Sequence, residues 1–439
     1  MSMLQKAPLS RIIPLLILLA SLLAAPGRPP AQAADARPQD VPLPAPFTFS
    51  DEQFVSGALR GQTQIERYLR YHGGFLADIS LEPTLGKQTP AAEGLAFLGE
   101  VYSVSPALLL ILAAGSFDLH LPSGHSATDA SDAAPIDEEA LASWFRWTAM
   151  TLSRWFYDHY YGHDLPLVTP VLGESFHLNA GNAATYALRS YFFAEIYTDG
   201  DPREALAAWE QALTAAYTAR FAPPLAGRLH ARHPSAADLA TLPPLRLPWT
   251  GGDTWYYTGG PHNFDGSNRL PLSGVDFQPA GPYGCNPEVA LGRWVVAAAP
   301  GRTIDYQSHW LKLDHDHDGD ANTGWQTVYG HLANRAGDDV PLRQGHPLGN
   351  PSCYGGFAGG VHVHFGLKFQ NVWQPAEQLL LSGWTLQSGL DPYHGAMTKP
   401  GYPDRQSCFH PDRPNMDCAH AALTVHDNGF SSNGYRSYP

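Results

Sequence analysis

The chain has 439 residues, 44% of them hydrophobic and 15% charged, with a formal net charge of −14. That length leaves room for two domains, and that hydrophobic fraction excludes global disorder. The acidic balance argues against nucleic acid as a partner, and low charge with many Gly, Pro, Trp and Tyr reads as an exported, loop-rich enzyme rather than a cytosolic helix bundle.

Residues 1–33 read as a signal peptide. Lys6 and Arg11 form a basic start, an apolar run follows from Ile12 to Ala25, and Ala31-Gln32-Ala33 offers a small-x-small cleavage site. The run is shorter than the about 20 residues a membrane-spanning helix needs. Cleaved export, to the outside or the cell envelope, is therefore expected, and no other stretch is long enough to span a bilayer. Cleavage after Ala33 removes three positive and no negative charges, so the mature chain stands at −17 rather than −14.

Residues 34–50, rich in Ala, Pro and Asp, read as a linker. Residues 51–225 read as an α-helical N-terminal domain serving as scaffold, binding module or pro-region. Its helices are expected over 96–102, 106–114 with Pro106 at the first helical position, 138–161, 182–197 and 202–221. The aromatics Trp144, Phe145, Trp147, Trp155, Phe156, Tyr157, Tyr160 and Tyr161 read as helix core rather than a sugar platform. Glu174, an acid in apolar surroundings, reads as structural. Residues 226–248 are a second linker.

From 249 to 387 the signature changes to short β-type runs separated by Gly and Pro turns, at 292–299, 303–306, 310–314, 327–329 and 361–369. This is an antiparallel β domain, giving an α+β fold. Residues 388–439 form a C-terminal extension of no evident fold. The four cysteines, Cys285, Cys353, Cys408 and Cys418, are even in number and fall in the second half. In an exported chain they read as two disulfides. Three pairings are open; the short local loop between Cys408 and Cys418 favours that pair, leaving Cys285 with Cys353.

The most informative run is Gly359-Gly360-Val361-His362-Val363-His364-Phe365-Gly366. Residues two apart on a strand share a face, about 7 Å apart. That spacing suits one metal ligand and one neighbour acting on what the metal binds. Upstream lie His262, Asp276 and His331. Two His and one Asp make a tripod of the kind catalytic zinc uses, with an open fourth position, and two His to spare.

The ordered set Trp255-Tyr256-Tyr257-Thr258-Gly259-Gly260-Pro261-His262-Asn263, Ser273-Gly274-Val275-Asp276-Phe277, Tyr329-Gly330-His331-Leu332 and Gly360-Val361-His362-Val363-His364 resembles the lysostaphin/β-lytic family of zinc metalloendopeptidases. The opening run and the long gap from His to Asp are most similar to its β-lytic, staphylolytic (LasA-like) branch. The resemblance covers about 250–386. It implies Zn²⁺ held by His262, Asp276 and His364, with His331 and His362 as unligated catalytic imidazoles. It implies hydrolysis of peptidoglycan cross-bridges or stem peptides, or of another Gly-rich peptide, at Gly or other small residues. A catalytically silent wall-binding or regulatory protein on the same fold is the alternative.

His309, His315, His317 and His346 fit no position of that pattern and read as surface residues. Tyr329 reads as lining the site or as a packed strand aromatic, and Asn263 as positioning substrate or capping its loop. Asp314-His315-Asp316-His317-Asp318-Gly319-Asp320 begins like an EF-hand Ca²⁺ loop, with Asp314, Asp316, Asp318 and Asp320 or Asn322 as candidate ligands. Trp325 stands where the bidentate Glu belongs, so a polar turn is the competing reading.

Overall fold

The computed structural model describes residues 49–439, apart from 57, 60, 73, 85, 86, 118–136, 164–166, 169–174, 177, 179, 222–231, 268, 282, 283, 321, 322, 392, 409–420, 424–429, 432, 433 and 436–439. The expected signal peptide, most of the first linker, Glu174, Asn322 and Cys418 lie outside the described residues.

The first half is helical: α1 (Asp51–Val55), α2 (Gln62–His72), α3 (Ala91–Tyr102), α4 (Pro106–Phe117), α5 (Glu138–Tyr160), α6 (Ala183–Tyr191), α7 (Pro202–Arg220) and α8 (Ala236–Thr241). The starts are set by local chemistry. Ser50 and Gln53 form a capping box, Asp137 and Asn182 accept from Ala140 N and Thr185 N, and Asp201 precedes Pro202; each satisfies amides that the first turn leaves unpaired. The 182–197 helix ends sooner than expected, giving way to a π turn over Phe192–Ile196. The antiparallel hairpin Ser80–Thr84/Lys87–Pro90 interrupts the helices; its short, Pro-containing strands lack the alternation that would announce them. Among the described residues no single helix is long and apolar enough to cross a membrane. Helices α3 and α4 are apolar nearly all round because they are core, buried along most of their length.

The second half builds a nine-stranded sheet from β1 (Trp255–His262), β2 (Gly274–Pro279), β3 (Gly301–Gln307), β4 (Trp310–Asp314), β5 (Trp325–Gly330), β6 (Pro341–Leu342), β7 (Val363–Phe369), β8 (Val372–Trp373) and β9 (Ala422–Leu423). The order is β6-β3-β4-β5-β7-β2-β1-β9, with β8 folded back on β7, and the pairings are antiparallel. The expected strand at 292–299 shrinks to Val295–Val296, in a separate three-stranded sheet. The extension contributes β9 and part of a four-stranded sheet (Leu380–Leu381, Trp384–Gln387, Ala396–Thr398, Arg405–Gln406).

Strand β7 is buried on both faces. Val363, Phe365, Leu367 and Phe369 enter one core with Val275, Phe277, Leu311, Leu313 and Tyr329. The opposite face of the sheet gives Trp310, Val328, Val372 and Trp373 to the core of the helices. Burying an apolar face on each side is what allows a central strand to read as a near-continuous hydrophobic run.

The seam between helices and sheet is polar at its centre. Glu100 of α3, 1% exposed, pairs with Lys312 at 2.7 Å and Lys368 at 2.9 Å. Burial alone would raise the Glu100 carboxyl, but the two ammonium groups hold it below its ordinary range. The Trp373 indole donates to the carbonyls of Glu100 and Val101, both at 3.1 Å, and Asn371 Nδ2 to Val55 O at 3.2 Å. The helical aromatics Phe145, Phe156, Tyr157 and Tyr160 are buried in the same core, and Trp147 remains 38% exposed.

Cys285 and Cys353 form a disulfide, and Cys408 is also disulfide-bonded.

Candidate metal centre

Strand register assembles the tripod. Asp276 on β2 lies opposite His364 on β7 and, on its other side, opposite Gly259 of β1. His262, at the end of β1, lies opposite Gly274. Alternation along each strand turns these side chains to the face that carries Lys368 and Trp310, beyond the edge of the helical cover.

The distances suit a small tetrahedral cation. His262 Nε2 is 3.1 Å from Asp276 Oδ2, and His364 Nε2 is 3.5 Å from Asp276 Oδ1. Bonds of about 2.0–2.2 Å to zinc set donor spacings of about 3.3–3.5 Å. One nitrogen or oxygen from each of the three residues falls within 4.8 Å of the others.

Two further observations test the fit. Asp276 Oδ1 and His364 Nε2 are buried without a hydrogen-bond partner, a costly arrangement unless a cation completes them. The space beside them is kept open by glycine: a Cβ on Gly274 would lie 2.9 Å from His364 Nε2. His262 Nδ1 faces Asn263 O at 2.7 Å, which fixes the tautomer that leaves Nε2 for a metal. The residues present therefore fit zinc.

His362 and His331 complete the group. The His362 and His364 rings are 6.0 Å apart, close to the spacing expected of a two-residue repeat. The His331 ring lies 4.4 Å from that of His362 and 5.7 Å from that of His364. Each spare imidazole has its Nδ1 at 2.7 Å from a backbone carbonyl, His331 on Tyr354 and His362 on Gly360. That leaves both Nε2 atoms unprotonated, with that of His362 3.7 Å from Asp276 Oδ1. His331, His362 and His364 form a second group able to hold a metal, sharing His364 with the first.

The cluster sets the imidazoles of His262, His331, His362 and His364 around one carboxylate. Burial pushes His364 down to about 3 and His331 well below its ordinary value. Burial would raise Asp276, but the surrounding imidazoles hold it strongly down, so it is ionised.

The structure also resolves the minor candidates. Tyr329 is fully buried, with its hydroxyl accepting from Ala298 N; it is core. Asn263 caps its own loop, accepting from Asp265 N and donating to Leu270 O. His317 and His346 are exposed. His309 and His315 are half-buried. His309 Nδ1 faces Leu332 O at 3.1 Å, and His315 bridges Pro300 O and Thr327 Oγ1.

The calcium expectation finds no support. Oxygens of Asp314, Asp316 and Asp318 do approach one another, and Asp320 is outside that group. The carboxylates are occupied by their own turn: Asp314 accepts from Asp316 N and Gly319 N, Asp316 from Asp318 N, and Asp318 from Asp320 N and Thr323 Oγ1. Burial, then Asp316, pushes Asp314 up to about 7. These hydrogen bonds shape a polar turn between β4 and β5, in which Asp314, Asp316 and Asp318 stay close enough to hold a cation.

One residue at the site escaped the sequence reading. Tyr393, in the extension, places its ring 5.6 Å from His262. Burial, then Asp276, pushes its hydroxyl up to about 12, so it is a neutral donor. Nothing in its local sequence marks it; only the return of the chain beside β1 brings it there.

No family model matches the chain. The beta-lytic metalloendopeptidase of Achromobacter lyticus is 29% identical over 170 residues, which is 36% of this chain and 42% of that relative. The match thus spans less than half of the relative's length. Among solved structures, the M23 metalloprotease pseudoalterin from the deep sea is 25% identical, covering 38% of this chain and 94% of that one with a TM-score of 0.31. A zinc-containing peptidase from Vibrio cholerae is 18% identical, covering 31% and 41% with a TM-score of 0.21. The curated match bears out the resemblance drawn from the motifs, to the lysostaphin/β-lytic zinc metalloendopeptidases.

Proposed function

We propose that this chain is an exported zinc metalloendopeptidase that hydrolyses peptide bonds in peptidoglycan, in cross-bridges or stem peptides, at Gly or other small residues. One observation carries the reading: two orphaned buried ligand atoms, Asp276 Oδ1 and His364 Nε2, converge with His262 beside two imidazoles whose Nδ1 atoms are already engaged. The curated relative, an endopeptidase by name, supports the same activity.

In this reading His262, Asp276 and His364 hold the zinc, and His331 and His362 work on the substrate. When bound, zinc supplies a Lewis acid that lowers the pKa of water and polarises a peptide carbonyl. His331 and His362 each keep an Nε2 lone pair, because Nδ1–H is donated to Tyr354 O and Gly360 O. Burial keeps His331 neutral, which leaves its Nε2 lone pair unprotonated. One imidazole takes the proton of the attacking water and the other stabilises the developing oxyanion or protonates the leaving amine. Tyr393 adds a neutral hydroxyl donor on the His262 side. The helical half serves as scaffold, since it buries a face of the sheet that carries the site.

The test is metal content measured alongside digestion of purified peptidoglycan. We expect about one zinc per chain, lost in His364→Ala and retained in His362→Ala, with new amino termini released by wild type alone. A folded wild type without zinc would refute the reading. Zinc without cleavage of peptidoglycan or of glycine-rich peptides would move it to a silent wall-binding protein.

A further inference from the structure

The five site residues rest on two different supports. His262, Asp276 and His364 stand on paired strands of the main sheet. His331 and His362 lie outside named strands, and both are held by the loop of residues 352–361. Tyr354 O and Gly360 O, near its two ends, take the two Nδ1 atoms. Ser352 grips the carbonyl of His331 from its amide at 2.8 Å and its hydroxyl at 2.9 Å. That grip matters because His331 has φ 61°, a left-handed conformation that a side-chain-bearing residue keeps only when its surroundings impose it.

This loop is itself braced by residues 284–288. Cys353 N donates to Glu288 O at 2.9 Å, and Val361 N to Gly284 O at 3.3 Å. Cys285 Sγ lies 3.5 Å from Ala358 O. The Cys285–Cys353 disulfide is the covalent tie between brace and loop. Neither cysteine touches the tripod strands' pairing.

We propose that the Cys285–Cys353 disulfide is a positioning device for His331 and His362, so that peptidase activity is gained on oxidation and lost on reduction while the metal tripod persists. The inference rests on the zinc-peptidase reading above. In the forward step the two thiols lose two protons and two electrons to an external disulfide, which leaves as two thiols. A dithiol reverses it, closing to its own cyclic disulfide as both cysteine thiols return. Cys285 is half-buried and Cys353 buried, so exchange enters at the Cys285 sulfur. Without the tie, the two carbonyls are carried by a loop held to its brace through hydrogen bonds alone. A chain in a reducing compartment then carries the tripod without the ordered imidazole pair.

The experiment compares full-length protein oxidised, reduced with a dithiol, and as the Cys285→Ser/Cys353→Ser double variant. A Cys408→Ser/Cys418→Ser variant controls for loss of the other cysteines. Three quantities are read: zinc per chain, kcat and KM on a glycine-rich peptide, and the downfield imidazole Nδ1–H proton resonances, assigned with His331→Ala and His362→Ala. On reduction we expect unchanged zinc, kcat lower by about 100-fold, KM within about threefold, and loss of both resonances, all restored by reoxidation. Survival of the resonances and of kcat overturns the proposal. So does loss of zinc together with activity, which would make the disulfide a support of the whole site. If the double variant does not fold, reversible reduction of the folded protein decides. The resonances decide alone if the oxidised protein cleaves no peptide, which separates failure of this inference from failure of the peptidase reading.

Discussion

Replacing Gly274 by alanine should cripple metal binding while leaving the fold standing. The added methyl carbon would lie 2.9 Å from His364 Nε2 and 3.1 Å from both Cε1 and Nδ1 of His262. Comfortable contact begins at about 3.5 Å, so one ring must retreat by about 0.6 Å. Zinc–ligand distances tolerate only about 0.2 Å, so the retreating ring leaves its coordination position. We expect zinc affinity to fall by about 100-fold, or about 2.7 kcal/mol, with an overpacking cost of about 1–3 kcal/mol in fold stability. Chelator competition on apoprotein measures the first, and denaturant unfolding the second. Gly115→Ala is the control: a Cβ there meets nothing within 4 Å, so zinc affinity should hold, and an exposed helical Gly→Ala should add about 0.5–1 kcal/mol. Zinc affinity of Gly274→Ala within about threefold of wild type would refute the argument.

Glu100→Gln should destabilise the protein by about 3–5 kcal/mol, because the buried Lys312 and Lys368 amino groups lose the carboxylate they pair with; a shift in urea midpoint worth less than about 1 kcal/mol would show that the seam is not held this way. Acid should act through His315, which burial pushes down to about 4. Its folded pKa lies below its unfolded value near 6.5, so protons bind the unfolded chain first. The stability it contributes is present above 6.5 and lost as pH falls through about 4. His315→Gln should flatten the stability–pH curve across that window, and an unchanged slope would count against it. Millimolar calcium should leave the melting temperature unmoved; a rise abolished by Asp316→Asn would restore the metal-loop reading.

Much of this was legible because period and spacing are local. The two-residue repeat of His362 and His364 announced a strand and a shared face, and the structure separates their rings by 6.0 Å. The helices at 138–161 and 202–221 start on the caps Asp137 and Asp201, and the one at 106–114 starts on Pro106. What was not legible depends on chain return. Tyr393 reaches His262 only because the extension folds back beside β1, and Gly274 matters only because β7 lies next to β2. His315 read as a surface residue because it fits no position of the family pattern; it is half-buried, with its ring reaching Pro300 O. The acids of that turn resembled a calcium loop because Asp and Gly at alternate positions serve both purposes.

The two-sided burial of the sheet bears on how the molecule can be cut or rebuilt. Trp310 and Trp373 are 2% and 1% exposed because helices lie over them, and Phe97 of α3 meets Trp310 edge-on at 5.6 Å. The same Phe97 ring abuts Gly356, whose other neighbour is His331 Cε1. A recombinant fragment beginning at residue 249 would present two indoles to water and strip the backing from His331. A minimal reagent made from this protein must keep its first half, and new targeting modules belong at the chain ends rather than in place of the helices.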